Sequence, residues 1–444
     1  MKNKLFYLFG AAFLLCSISI FTACSEEKDE PVVEIPDDGG DNGDDGDALD
    51  LNGEYGNNTL KMTYNGEELA GKKVIFTADE NLGEATLRLS GTEKNLTDML
   101  AGIMGEVKFM TNSPIPGEKV INLENVILTA NADGTIYSFE SKDENDSRET
   151  FYKGTVKEGE MNIEITNKLK NSSLAGTWEL GPLKFSLLEN VAANSASPLW
   201  IDWDSENNIN AGTIANVGFN MDPTSLFTWV FSVGDDTFLG MMGIQDVDVK
   251  IQQWIKNLLQ SITVQPNGCM YATYSYSGDL KNPAWSSEMS RNIIRYYHGE
   301  KSDRVYIEVN TDFILSTLGS LLSTNTRADN QTFETLAKAL IETLRPAIEN
   351  GVPCTYEIAD NKLKVNLDGE FTRDVLIKVV DILNEPNINA LIMNLIENDE
   401  TLKTYKPNIT TLLQTLPDAL RYRDNKETPC EYVKIGLQLV KATE

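Results

Sequence analysis

Between Leu51 and Lys170, apolar and polar residues alternate with a period of two, in runs too short for helices. Thr59-Leu60-Lys61-Met62-Thr63-Tyr64 and Ala85-Thr86-Leu87-Arg88-Leu89 show the pattern clearly, and Met161-Asn162-Ile163-Glu164-Ile165 closes it. Asn65-Gly66 directly follows the first run, and both residues tolerate positive φ, so a hairpin is predicted there. Ala132-Asp133-Gly134-Thr135 marks another turn, between Val126–Ala130 and Ile136–Phe139. Such a stretch buries its apolar positions by curling into an antiparallel barrel or by pairing as a sandwich.

After Asp222 the period lengthens. Val247, Ile251, Trp254, Ile255, Leu258, Leu259 and Ile262 fall on one helical face. A second face runs from Phe333 through Leu336, Leu340, Ile341 and Leu344 to Ile348, closed by Gly351. A third covers Val375 to Leu383 with Thr372 as its cap, a fourth Ile388 to Ile396, and a fifth Ile409 to Leu420, kinked or ended by Pro417. Strands are predicted at 270–276, 304–309, 363–367 and 433–440. The fold class is therefore α+β: an N-terminal antiparallel barrel or sandwich, then a mainly antiparallel sheet packed with amphipathic helices.

The first residues form a targeting segment. Lys2 and Lys4 precede an apolar run, Leu5 to Phe21, that ends at Thr22-Ala23-Cys24. A small residue before cysteine is what a lipoprotein peptidase cuts, so residues 1–23 are expected to be removed and Cys24 to carry lipid, making the membrane the first expected partner. Residues 24–50 include Asp37-Asp38-Gly39-Gly40-Asp41 and read as an extended tether, because like charges repel and glycine adds chain entropy. Residues 51–170 are the first folded region and 171–444 the second.

With 67 acidic against 38 basic residues, a nucleic-acid partner is excluded, since phosphate backbones require basic surfaces. The single histidine, His298, sits in Tyr297-His298-Gly299-Glu300 and is expected in an exposed hairpin; one histidine rules out any motif that needs two. There is no phosphate loop, no nucleophile elbow and no dinucleotide fingerprint, so neither enzyme activity nor a cofactor is expected. Cys269, Cys354 and Cys430 lack CxxC spacing and read as small buried hydrophobes. Cys354 and Cys430 share a Pro-Cys-x-Tyr context, and a disulfide between them is permitted in an exported protein. The most site-like stretch is Trp200-Ile201-Asp202-Trp203-Asp204. If exposed, Trp200 and Trp203 would stack on sugars while Asp202 and Asp204 accept hydroxyl hydrogen bonds. The alternative is an ordinary strand with Trp200 inward and Asp202 outward.

Several segments resemble known families. Ser25-Glu26-Glu27-Lys28-Asp29-Glu30 after Cys24 is similar to the acidic export tag of Bacteroidetes surface lipoproteins, which implies an outer-membrane, outward-facing address. Leu51-Asn52-Gly53-Glu54-Tyr55, echoed by Leu174-Ala175-Gly176-Thr177-Trp178, resembles the opening strand of lipocalin-like (calycin-like) barrels, in which the aromatic plugs the barrel end. With Pro266-Asn267-Gly268, Tyr296-Tyr297 and Val305–Asn310, the whole is similar to an uncharacterised Bacteroidetes lipoprotein family joining a calycin-like region to an α+β region. That resemblance implies a fold and an address and no catalytic residues. The expected function is a lipid-anchored surface binding protein for an apolar small molecule or a glycan, or a subunit beside an outer-membrane transporter protein. The alternative is a structural or adhesive component with no small ligand. Cys24→Ala is expected to abolish lipid labelling and release the protein from the envelope; a variant that still carries lipid in the outer-membrane fraction would contradict the anchor.

Overall fold

The period-two region builds one curled sheet. The computed structural model describes residues 50–95, 108–181, 198–214, 217–233, 258–275, 283–287, 293–310, 330–398, 403–424 and 426–442; the expected signal segment, Cys24 and all of the expected tether but Asp50 lie outside them. The strands of the curled sheet are β1 (Gly53–Gly56), β2 (Leu60–Tyr64), β3 (Glu67–Glu68), β4 (Lys72–Ala78) and β5 (Glu84–Gly91). After a separate ribbon of β6 (Glu93–Asn95) and β7 (Lys108–Met110) come β8 (Val120–Ala130), β9 (Tyr137–Glu144), β10 (Arg148–Lys157) and β11 (Glu160–Leu169). The order across the sheet is β1-β4-β5-β8-β9-β10-β11-β2-β3, antiparallel except where β2 lies parallel to β11. The alternating positions turn inward as the period requires, and Tyr64, Phe76, Leu87, Leu89, Tyr152 and Met161 fill the hollow of the curl.

The closed barrel lies in the second region, where the sequence predicts helices on a sheet. Its elements are β12 (Gly176–Leu180), β13 (Leu199–Trp203), β14 (Ile209–Ile214), β15 (Val217–Met221), α1 (Pro223–Val233), β16 (Leu259–Val264), β17 (Cys269–Ser275), β18 (Trp285–Ser286), β19 (Ile294–His298) and β20 (Arg304–Val309). Next come α2 (Asn330–Asn350), β21 (Val352–Ala359), β22 (Lys362–Leu367), α3 (Gly369–Asn384), α4 (Pro386–Glu397), α5 (Lys406–Arg421), β23 (Tyr422–Asp424), β24 (Thr428–Pro429) and β25 (Val433–Lys441). Eight strands run β12-β16-β17-β19-β20-β21-β22-β25, and β25 pairs back onto β12, so the antiparallel ladder has no free edge. The length of β25 makes this possible, since Leu439–Lys441 serve β12 while Val433–Leu437 carry β13.

Both sheets open with the same device. The Tyr55 hydroxyl donates to the Leu51 carbonyl at 2.7 Å, and the Trp178 indole N–H donates to the Leu174 carbonyl at 2.9 Å. Gly53 and Gly176 take φ of 151° and 145°, values that a side chain would strain. Both aromatics end up buried.

The helices are inserted between barrel strands. Leu336, Val375, Val379, Leu383, Ile388, Ile392 and Leu413 pack helix against helix, and Leu367 and Phe371 join that layer to the barrel interior. Two expectations about the helices need correction. Leu259 and Ile262 belong to strand β16, not to a helix; Ser261 and Ile262 are both buried, so covering on both faces breaks the alternation. Leu258, just before β16, is helical, and the remainder of that predicted face, 247–257, lies outside the described residues. The cap of α3 is Asp368, whose carboxylate accepts from the Phe371 N–H at 3.1 Å; Thr372 is one turn inside and donates to the Asp368 carbonyl.

The two sheets meet through a buried polar joint. Register partners Arg295 and Glu308, on adjacent barrel strands, point outward from the barrel toward residues 113–117 of the first region. Arg295 donates to the carbonyls of Pro114 (2.6 Å) and Ser113 (3.0 Å), and lies 3.4 Å from the Glu308 carboxylate. Glu308 in turn accepts the Gly117 N–H at 2.9 Å. On a second side, the Asn267 carbonyl accepts from the Tyr64 hydroxyl at 2.9 Å and from the Asn167 amide at 3.1 Å. Breaking a buried pair from one side leaves a charge with no counterpart, at about 3–5 kcal/mol. Arg295→Met is expected to cost that much in urea denaturation, and adding Glu308→Leu to recover part of it; equal, additive losses would contradict the coupling. Burial raises the Glu308 pKa above 4.5, so its stabilising contribution is complete below that value and is lost as pH rises through the folded-state pKa. Wild type should accordingly gain stability relative to Glu308→Gln as pH falls toward 4.5.

Candidate functional site

The tryptophan segment is a covered strand. Trp200, Ile201 and Trp203 on β13 are all buried. The Trp203 indole donates to the Ala419 carbonyl at 3.1 Å and its ring stacks on Phe227 of α1 at 6.0 Å. Trp200 lies across Gly436, where an added Cβ would sit 2.9 Å from the indole, and Lys364 covers the ring at 4.0 Å. Asp204 accepts the Glu431 N–H at 3.0 Å and faces Arg423 at 3.5 Å, which ties the loop before β25. Asp202 is half-buried and stands opposite Lys434. Both tryptophans are thus packing residues, inaccessible to a sugar face, because helices cover Trp203 on one face of β13 and the Lys364 side chain of β22 covers Trp200 on the other.

The cysteines are the small buried hydrophobes expected, without the permitted disulfide, while the histidine differs from expectation. Cys354 and Cys430 are free buried thiols in two separate core clusters, so they are not bonded to each other; Cys269 lies in a third, at the joint. Burial pushes the Cys354 thiol up to about 12 and Cys430 to about 11, which suppresses the nucleophilic thiolate. His298 is half-buried rather than solvated, edge-on to Tyr296 and Tyr356, and burial lowers its pKa. Among the described residues no group of three His, Cys, Asp or Glu side chains could hold a metal ion.

Two spaces remain. Inside the barrel, a cavity of about 90 Å³ is bounded by Trp178, Ile262, Val305, Ile307, Leu363 and Leu439, with Asn366 at one side. Ligand pockets run to roughly 300–1,000 Å³, so this is a packing defect in scale. The larger space is an open trough of about 700 Å³ on the outer face of the curled sheet, crossing β8, β9, β10, β11 and β2.

Strand register builds the trough. One row runs Thr129–Ser138–Thr155–Asn162–Lys61, each residue the direct cross-strand partner of the next. A second runs Glu140–Lys153–Glu164–Thr63, with Ile127 at its end, 58 % exposed. Glu140 and Lys153 pair at 3.4 Å while both remain largely exposed, an interaction worth little in stability and readily exchanged for a ligand's hydroxyls. Beneath the trough is Gly154. A Cβ there would collide with the Asn162 carbonyl and the Phe139 ring, so glycine permits the close approach that forms the floor. The Ser138 hydroxyl donates to the Thr129 carbonyl at 3.2 Å and the Asn162 amide reaches Glu160 at 3.4 Å, whereas the Thr129 and Thr155 hydroxyls have no hydrogen-bond partner among the described residues. Sequence reading places Lys61, Thr63 and Thr129 on strands but does not group them, because only the pairing brings them together.

Comparison with family models, with curated proteins and with solved structures finds no match to this chain.

Proposed function

We propose that the protein is a non-enzymatic binding protein, held at the outer surface of an outer membrane by lipid on Cys24, and that it takes a polar, hydroxyl-rich ligand of the glycan class in the trough of its first sheet. The observation that carries this reading is the contrast between the spaces. The apolar interior is filled to about 90 Å³, while the exterior trough reaches about 700 Å³ and presents hydroxyl, amide, ammonium and carboxylate groups. An apolar small molecule, the other ligand class expected from the sequence, would find only about 90 Å³ inside the barrel. The strand-by-strand order of both sheets and their twin aromatic openings support the calycin-like reading of the fold, with the working surface outside the curl. The alternative, a structural or adhesive component or a transporter-accessory subunit, draws on the same filled interior.

The test is an array of neutral and charged oligosaccharides probed with the full lipidated chain in detergent, beside a fluorescent fatty-acid displacement assay. Retention of oligosaccharides without saturable fatty-acid binding is expected, and Asn162→Ala should weaken retention. Saturable fatty-acid binding with no oligosaccharide retained would overturn the reading in favour of the barrel interior.

A further inference from the structure

We propose that the ligand is an extended, uncharged, equatorially linked polysaccharide that lies across the strands of the trough with one sugar ring per strand. This rests on the binding reading above and specifies its chemistry and orientation. Neighbouring strands lie about 4.8 Å apart, which is close to the advance of one pyranose ring in a ribbon-like glycan. The row Thr129–Ser138–Thr155–Asn162–Lys61 offers one polar side chain per strand in unbroken register. A glycan crossing the strands would therefore meet a hydrogen-bonding group at each ring. An extended peptide repeats at about 3.3 Å per residue, falls out of step within two residues, and would seek backbone partners that the interior strands of a sheet have already spent.

Charge narrows the class further. The trough's two ammonium groups, Lys61 and Lys153, balance its two carboxylates, Glu140 and Glu164. A polyanion would also meet the field of a chain whose formal net charge is -29. Alternating carboxylate and ammonium groups suit sugar hydroxyls, which both donate and accept. No aromatic side chain projects from these two rows, and one surface hydrogen bond contributes only about 0.5–1.5 kcal/mol. Affinity should therefore accumulate ring by ring instead of residing at one anchoring sugar.

The experiment is isothermal titration of the full lipidated chain in detergent with cello-, manno- and xylo-oligosaccharides from dimer to hexamer. In at least one series the affinity is expected to rise with each ring and to level off at the pentamer, where the five-strand row is used up. Thr155→Val and Asn162→Leu, at the middle of the row, should each lower pentamer affinity by a few-fold to about tenfold. Both are expected to leave dimer binding less affected and the melting curve unchanged, and Thr77→Val on β4, outside the trough, should change nothing. Binding that depends on Asn162 but not on chain length would overturn this proposal while leaving the binding reading intact. Failure of all three series would overturn the proposal, and retention of no sugar on the wider array would remove the binding reading with it.

Discussion

The buried pair of Arg295 and Glu308 determines how the curled sheet and the barrel meet. Its members are nearly inaccessible, at 7 % and 5 % side-chain exposure, so each depends on the other and on fixed backbone groups to offset lost hydration. Those groups belong to residues 113–117, between β7 and β8. The joint therefore anchors the segment that leads into β8, the strand whose far end carries Ile127 and Thr129 of the trough. A Cβ added at Gly117 would sit 2.8 Å from the Tyr297 ring, and Tyr297 stacks on Tyr306 with centroids 4.9 Å apart. The Asn65, Asn167 and Asn267 cluster secures the other side, and it engages β2 and β11, the strands that form the trough's opposite end. A sheet held at both ends keeps its cross-strand rows in line, as the proposed ligand would require.

The chain solves one construction problem twice. Leucine, glycine and an aromatic at fixed spacing start each sheet, with the aromatic donating to the leucine carbonyl and sealing the hollow. Closure is decided by the strands beyond this opening. In the barrel, β25 is long enough to reach β12, and every pairing is antiparallel. In the first sheet the strand after the opening, β2, joins the far edge in parallel to β11, and no pairing between β1 and β2 closes the ladder among the described residues. Large aromatics then fill the curl: Tyr64 and Tyr152 are 1 % exposed. Both hollows are occupied by the protein's own side chains, which is why the proposed ligand is placed on the outer surface.

Much of the fold was legible locally. Period-two runs and Asn-Gly or Asp-Gly turns are short-range signals, and β8, β9 and β11 fall where they point. Helices α2, α3 and α4 are amphipathic enough for their stripes to locate them. The failures share one cause, burial that depends on distant segments. Trp200 and Trp203 admit two readings beside their aspartates, and only the arrival of β22, α1 and α5 decides for the ordinary strand. Leu259 and Ile262 mimic a helical stripe because β16 is enclosed on both faces. The trough was out of reach for the same reason: residues as far apart as Lys61 and Asn162 become neighbours only through the β2–β11 pairing. Arg295 and Glu308 carry no local mark of burial, since the loop that grips them lies some 180 residues away.

The proposed binding on the outside of a filled sheet, rather than within a hollow one, has a direct chemical readout. Lys61 and Lys153 supply it, because they stand in the two rows of the trough and both side chains carry acylable amines. Acetylation rates of individual lysines can be followed by mass spectrometry with and without saturating oligosaccharide. Lys61 and Lys153 are expected to be slowed together while Lys378 on α3 reacts as before. Unchanged labelling of Lys61 and Lys153 in a chain shown to have sugar bound would contradict binding at the outer face.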